Sequence, residues 1–511
     1  MKSLFKAVAL ITFFSILTRI AGFIFRVYLS RTIGAEALGL YQIAFSVFFV
    51  LLTIISSGLP FIISRITAKY SVKNQRRAKG QLVSSSLILS VVISFLLCLI
   101  VLVFKNIFAN VFTDRSCIEI LIVLLPSLVF SAVYSVFRGA MWGENNYFAL
   151  CISELYEQIV RIFVCILILG PTFSVLDSAV SVAWSLTISC AFSAIFVVLL
   201  YFFYGGSFSK PSKIYKKVLK ESTPITGVRI AGSLLQPLIA LIIPMRLVAI
   251  GYTNQQALSL YGIAIGMTFP LLFIPGMLVG SLSTALVPEL SSAVLENKAS
   301  HIENRIKSSI NFTLFVSTFF VPLFLGAGDI IGRFLYNNVL SGTLLQLFSW
   351  VMIPMGLTNI TSAILNSMGL EIRSCINYFF GAIALFVCIW FLPALIGINA
   401  FAVGMGASTL ISSLLNIIMI KRKAKIKLNL LKPFAIQLLI ILPSAAITSF
   451  LASLLTNIMP DFFVLLFSCV IGGAFFILLS IIFKIMDVNY LSVFKNKFIF
   501  FKNKKTKQKN V

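Results

Sequence analysis

Apolar residues in this chain fall into long blocks separated by short polar or basic segments. Fourteen blocks stand out, near 4–29, 37–67, 81–104, 117–140, 148–170, 176–204, 222–251, 257–287, 308–327, 342–366, 373–393, 396–420, 433–456 and 461–483. Each is long enough to cross a hydrocarbon layer of about 30 Å as a helix. The pattern predicts an all-α polytopic membrane protein with about fourteen transmembrane helices. The division between 373–393 and 396–420 is the least marked. Lys2 and Lys6 ahead of an apolar run resemble a signal peptide. That run is too long, carries arginines and lacks a small-x-small cleavage site, so it reads as an uncleaved first span.

The polar segments set the orientation. An even number of crossings puts both ends on one side, and the positive-inside rule tests which. With the termini in the cytoplasm, the inner segments include "KYSVKNQRRAKG" (69–80), "SKPSKIYKKVLKE" (209–221), "KRKAKIKLNLLK" (421–432) and the tail from Lys484. Inner segments and ends then hold 30 Lys and Arg, and the outer loops hold four: Arg31, Lys105, Arg115 and Arg333. The remaining seven cations are all arginines within or at the ends of spans: Arg19, Arg26, Arg65, Arg138, Arg161, Arg229 and Arg246. This predicts a multi-pass membrane protein with both termini cytoplasmic.

An internal repeat divides the spans. "TRIAG" (18–22) matches "VRIAG" (228–232), and "LGLYQIA" (38–44) matches "LSLYGIA" (258–264). Two matches in the same order indicate a duplication that restarts near Ser222. Six spans per copy give both copies the same membrane orientation, a parallel repeat. The expected organisation is an N-lobe over 1–208, a basic cytoplasmic linker over 209–221, a C-lobe over 222–420, two further spans over 421–483 and a basic tail over 484–511. The eighth span contains Pro270 and Pro275 with Pro288 at its end, and prolines inside a helix remove a backbone bond and bend it.

Composition changes this picture little. Of 511 residues 59% are hydrophobic and 11% charged, and the formal net charge is +26. In a soluble protein such a charge suggests nucleic acid; here it is topology and contact with anionic membrane lipids, and no nucleic acid is expected. The eight cysteines are scattered through apolar runs without a CxxC, and the single histidine, His301, has no partner cluster. Neither a metal site nor a cofactor is expected. There is no GxxxxGK[ST] loop for ATP, and the acids of the short outer loops, Asp114, Asp329 and Asp461, are isolated. No catalytic residue is assigned and no enzyme activity is expected. Energy would come from a coupling ion, the membrane potential or the lipid gradient.

Three blocks carry a family resemblance: "TRIAGFIFRVYLSRTIGAEALGLYQIAFSVFF" (18–49), "FRGAMWGENNYFALCISELYEQIVRI" (137–162) and "PMRLVAIGYTNQQALSLYGIAIGMTFPLLFIPGMLVGSLSTALVPELSSA" (244–293). The chain resembles the stage V sporulation protein B-like polysaccharide transporters, within the multidrug/oligosaccharidyl-lipid/polysaccharide exporter superfamily. The resemblance implies a two-lobed transporter with a central cavity that moves polyprenyl-diphosphate-linked saccharides, lipid II among them. It also implies a hydrophobic groove for the lipid tail on the last two spans. Arg19 and Arg26 match basic positions of the family's first span. Glu157 and Arg161 match an "EQ..R" motif of the fifth, and Arg246 matches "P.RL" at the end of the seventh. The lipid II branch has an arginine early in the eighth span, where this chain reads "YGIAIGMTF".

A lipid-linked saccharide presents a diphosphate, and arginine's planar fork suits phosphate oxygens. Arg19, Arg26, Arg229, Arg246 and Arg65 are therefore the candidate substrate-binding residues. Arg26 and Arg65 have the alternative of snorkelling or anchoring at a span end. Glu154, Glu157 and Arg161 share a helix face at i, i+3 and i+7. With Arg138 they are candidates for gating or ion coupling, and a structural salt bridge is the alternative. Two competing roles are a multidrug exporter of the same superfamily and a non-transport component of envelope polysaccharide assembly.

Overall fold

A computed structural model describes residues 2–170, 173–296, 299–424 and 431–483. The basic tail 484–511 and the middle of the "KRKAKIKLNLLK" segment lie outside the described residues. Among those described there are helices and no strand. The chain forms two compact units, Met1–Met267 with Pro393–Ile398, and Thr268–Leu392 with Asn399–Val511.

The first unit holds α1 (Lys2–Ser56), α2 (Leu59–Val72), α3 (Arg76–Val103), α4 (Lys105–Val111), α5 (Cys117–Gly143), α6 (Tyr147–Ile168), α7 (Val175–Phe203), α8 (Ile214–Ser233), α9 (Leu235–Ala249) and α10 (Asn254–Tyr261). The second holds α11 (Phe269–Leu295), α12 (Ala299–Tyr336), α13 (Val339–Phe348), α14 (Met352–Ser367) and α15 (Glu371–Phe391). A single turn, α16 (Pro393–Ile396), belongs to the first unit, and α17 (Asn399–Ala424), α18 (Leu431–Thr456) and α19 (Asp461–Ile482) complete the second.

Twelve of these stretches are long and apolar enough to span a membrane. One, Leu10–Val72, runs through Gly34, whose φ of 76° is left-handed. Only glycine adopts that region at little cost, and the backbone turns there. Residues 10–29 of the first segment and all of 37–67 therefore lie on this stretch. The 148–170 segment forms the 22-residue α6, which carries three charged residues and is not among the twelve. The seventh expected span is broken into α8 and α9 at Leu234. The last eight residues of the basic segment 209–221 are already the start of α8, because Val218 is buried and anchors that turn. A π-helix over Gly262–Thr268 joins α10 to α11; such bulges widen the turn and displace the side chains that follow.

Small residues allow the closest approaches in the first unit. "GAMWG" puts Gly139 and Gly143 one turn apart on α5. A Cβ on Gly139 would lie 2.8 Å from the Pro60 carbonyl oxygen, and one on Gly143 would lie 2.7 Å from Thr67 Cβ. This small-xxx-small spacing lets α2 and α5 pack backbone to backbone, the usual device where lipid removes the hydrophobic drive between helices. Leu59, Ile62, Ile63, Val136, Phe137 and Met141 fill the surrounding core.

The two copies of "LxLYxIA" also meet. A Cβ on Gly39 would collide with the Leu258 carbonyl, and one on Gly262 with the Ala35 carbonyl and, at 2.8 Å, with the Gly39 nitrogen. The eight cysteines are all free thiols.

Candidate functional site

A charged side chain inside an apolar helix is costly unless it is paired or wet. The helix α6 meets this cost by spacing. Glu157 and Arg161 are one turn apart and form an ion pair within the helix. Arg161 Nε also donates to Ser189 Oγ of α7 at 3.4 Å, and that hydroxyl donates to the Leu186 carbonyl at 2.8 Å. One turn earlier, Glu154 accepts from Arg138 Nη2 of α5 at 2.5 Å. The Tyr134 and Ser153 hydroxyls share a hydrogen bond of 3.0 Å between the same two helices. Tyr156 stacks on Phe196 with ring centroids 4.3 Å apart and fixes α6 against α7.

The result is a polar seam through α5, α6 and α7. It runs from Tyr134 and Ser153 through Arg138 and Glu154 to Glu157, Arg161 and Ser189. Its two ion pairs differ in setting. The Arg138 and Glu154 side chains are 42% and 38% exposed, whereas Arg161 and Glu157 are each 24% exposed. The second pair is thus the more withdrawn from solvent and the more costly to break. Arg161 and Arg26 both lie within electrostatic reach of Tyr41 on α1, and the buried Gln158 amide faces Gly22 of the same helix. The seam therefore adjoins the helix that carries the first-span arginines.

The remaining candidates are spread over the first unit. Arg19 on α1 and Arg229 on α8 are exposed, and neither forms an ion pair among the described residues. Arg26 and Arg246 are half-buried and engaged by neighbouring groups. Arg65 is 61% exposed and bridges at 2.5 Å to Glu221 of α8, which Lys217 also approaches at 3.9 Å. Exposed pairs of this kind contribute about 0–1 kcal/mol. Arg65→Ala is expected to leave the melting temperature of the purified protein nearly unchanged, a shift within about 1 kcal/mol of stability. A larger loss would show that Arg65 holds α2 to α8. Two further acids of the first unit also find partners: Glu144 pairs with Lys79 at 2.6 Å, and Glu36 accepts from Gln255 Nε2 at 2.8 Å.

The sequence reading missed Ser189, Tyr134 and Ser153 as members of the seam. A signal was present for the first. Ser178, Ser181, Ser185, Ser189 and Ser193 recur every three or four positions along α7, and all are buried. That is a polar stripe at helical spacing on an otherwise apolar span. No group of three or more metal-ligating side chains occurs among the described residues.

Comparisons with known proteins follow the same lines. Stage V sporulation protein B of Bacillus subtilis (strain 168) is 26% identical over 381 residues, 72% of this chain and 73% of that protein. The uncharacterized membrane protein YabM of the same strain is 23% identical over 427 residues, 80% of this chain and 78% of its own length. Among solved structures, the lipid II flippase MurJ in an inward closed conformation aligns over 93% of this chain and 98% of its own, with TM-score 0.67 and 16% identity. An inward-facing multidrug resistance MATE family transporter of the MOP superfamily aligns over 80% of this chain and 94% of its own, with TM-score 0.68 and 14% identity. The fold is thus that of these transporters. The profile of one family, described as "Polysaccharide biosynthesis protein", matches residues 4–294. With more than half of its length matched, and with the charged seam inside that region, the chain belongs to the polysaccharide biosynthesis protein family.

Proposed function

We propose that this protein moves polyprenyl-diphosphate-linked saccharides across the cytoplasmic membrane by alternating access. The observation that carries the reading is the pair Arg19 and Arg229. They occupy equivalent positions in the repeated "RIAG" motif, lie within apolar spans and are exposed. An arginine so placed requires water and an anion, and a diphosphate supplies the anion through charge-assisted hydrogen bonds. Arg26 and Arg246 extend the basic surface along the same two spans. The seam of Arg138, Glu154, Glu157 and Arg161 is the proposed gating or ion-coupling element. The pair α18 and α19 is the proposed seat of the lipid tail.

Translocation of a fluorescent lipid-linked sugar by purified protein in liposomes tests this. Charged hydrogen bonds contribute about 1.5–3 kcal/mol each, so the double variant Arg19→Ala, Arg229→Ala is expected to lose tenfold or more in rate, with unchanged yield and melting temperature. Translocation at the parental rate would overturn the role of these arginines. The multidrug alternative is less well supported, because an arginine-rich site repels organic cations. The solved flippase also matches a larger share of this chain than the exporter, 93% against 80%. A non-transport role in polysaccharide assembly predicts no translocation in liposomes at all.

A further inference from the structure

A groove of about 470 Å³ lies in the first unit, and none of its lining residues belongs to the polar seam. Its walls are Ser85, Ile88, Leu89 and Val92 of α3 on one side, and Pro211, Ser212, Lys213 and Tyr215 on the other. The second wall is the segment that leads from α7 into α8. That segment is held in place rather than draped over α3. Ser85 Oγ donates to the Ser212 carbonyl at 3.1 Å and accepts from the Ser212 nitrogen at 2.9 Å. One turn below, Gly80 leaves room for the Ser207 carbonyl, which a Cβ would approach to 2.8 Å. The groove is therefore a built feature with a fixed mouth.

Its chemistry has two ends. Ile88 and Val92 are 53% and 50% exposed, and the same face of α3 continues through the exposed Phe95, Leu96 and Leu99. This is an apolar track running from the groove into the depth of the membrane. At the mouth stand Lys213, which is exposed, and Tyr215, an amphipathic ring of the kind that settles at headgroup level. Lys210, Lys216, Lys217 and Lys220 surround them, and all are exposed. Arg76, Arg77 and Lys79 open α3 at the same end, which the distribution of basic residues places in the cytoplasm.

We propose that this groove binds an anionic glycerophospholipid of the cytoplasmic leaflet. Its phosphate sits at Lys213 and Tyr215 and one acyl chain lies along Ile88, Val92 and Leu96. Charge complementarity selects the occupant. An apolar track alone takes any lipid, but a track ending in a cluster of lysines favours a headgroup with net negative charge, and each basic residue near such a surface contributes about 1 kcal/mol. The bound lipid would act as a wedge that holds the 207–215 segment against α3. The site is separate from Arg19, Arg229 and the seam, so its occupancy does not depend on the transported substrate.

Native mass spectrometry of the full-length protein, released from nanodiscs of equal phosphatidylglycerol and phosphatidylethanolamine, tests the proposal. One phosphatidylglycerol is expected to remain bound under activation that strips phosphatidylethanolamine. Lys213→Gln is expected to reduce that retention roughly fivefold, the equivalent of about 1 kcal/mol. Ile88→Trp, which fills the groove and leaves every lysine in place, is expected to reduce it similarly. Lys105→Gln, an exposed lysine beyond the opposite end of α3, is expected to leave it unchanged. Each variant is first checked for a monodisperse elution profile and the parental melting temperature. Equal retention of both lipids would overturn the proposal, as would equal losses in Lys213→Gln and Lys105→Gln. Displacement of the bound lipid by a long-chain polyprenyl phosphate at equal concentration would also overturn it, because the groove would then be a substrate station.

Discussion

Glu157→Ala is expected to destabilise the protein by about 3 kcal/mol and to abolish translocation, because it strands Arg161 among α5, α6 and α7. The guanidinium keeps only its long contact to Ser189 Oγ at 3.4 Å, and the side chain is three-quarters withdrawn from solvent. Breaking a buried pair costs more than the pair itself contributes, since the surviving charge is left desolvated. The double variant Glu157→Ala, Arg161→Ala separates structure from function. It removes both charges, so most of the lost stability is expected to return, as read by melting temperature. Translocation in liposomes is expected to stay low, because a gating or coupling role needs the charges themselves. Recovery of both stability and transport in the double variant would make the pair purely structural. A thermodynamic cycle over the two single variants and the double gives the coupling energy directly.

Gly262→Val is expected to cost a further large amount, about 3 kcal/mol or more, and to lower the yield of monodisperse protein. The added carbons would meet the Ala35 carbonyl and the Gly39 nitrogen. Backbone atoms cannot rotate out of the way as a flexible side chain can. The helix α1 must therefore move from α10, and the matching site on Gly39 opens with it. Gly276→Val serves as the comparison, since nothing lies within 4 Å of a Cβ there. It is expected to be neutral or slightly stabilising, by well under 1 kcal/mol, since valine is the better helix former and restricts the unfolded chain. Similar melting temperatures for the two variants would show that the Gly39–Gly262 approach is not needed for assembly.

Much of the architecture was legible because the bilayer imposes a length rule on apolar segments. Each of the fourteen segments falls on helix, including α6 with its three charges. Breaks inside spans were only partly legible. The break at Leu234 falls where Pro237, lacking an N–H, cannot donate to the Ser233 carbonyl one turn back. The π-helix at Gly262–Thr268 arises where two backbones approach, a tertiary cause. Site residues divide the same way. Glu157 and Arg161 are neighbours along one helix, so their spacing announced the pair. Arg138 and Glu154 are 16 positions apart and Arg65 and Glu221 are 156 apart, so only packing brings them together. "GAMWG" was a readable signal, since small residues four apart in an apolar span mark a helix contact.

One distribution has a consequence of a different kind. All seven span arginines fall before Met267, within the first compact unit, and the spans of the second contribute none to the set. Moving one elementary charge through the whole membrane against 100 mV takes about 2.3 kcal/mol. An energised membrane therefore exerts force on this protein unevenly. Any conformational step that displaces the first unit's arginines along the membrane normal does electrical work, and its rate acquires a voltage dependence. In the second unit Arg305 and Arg333 stand toward the two ends of α12 and Arg373 opens α15, so a step confined to its spans gains less of this dependence from arginine. The charge pattern thus makes the first unit the more electrically responsive part.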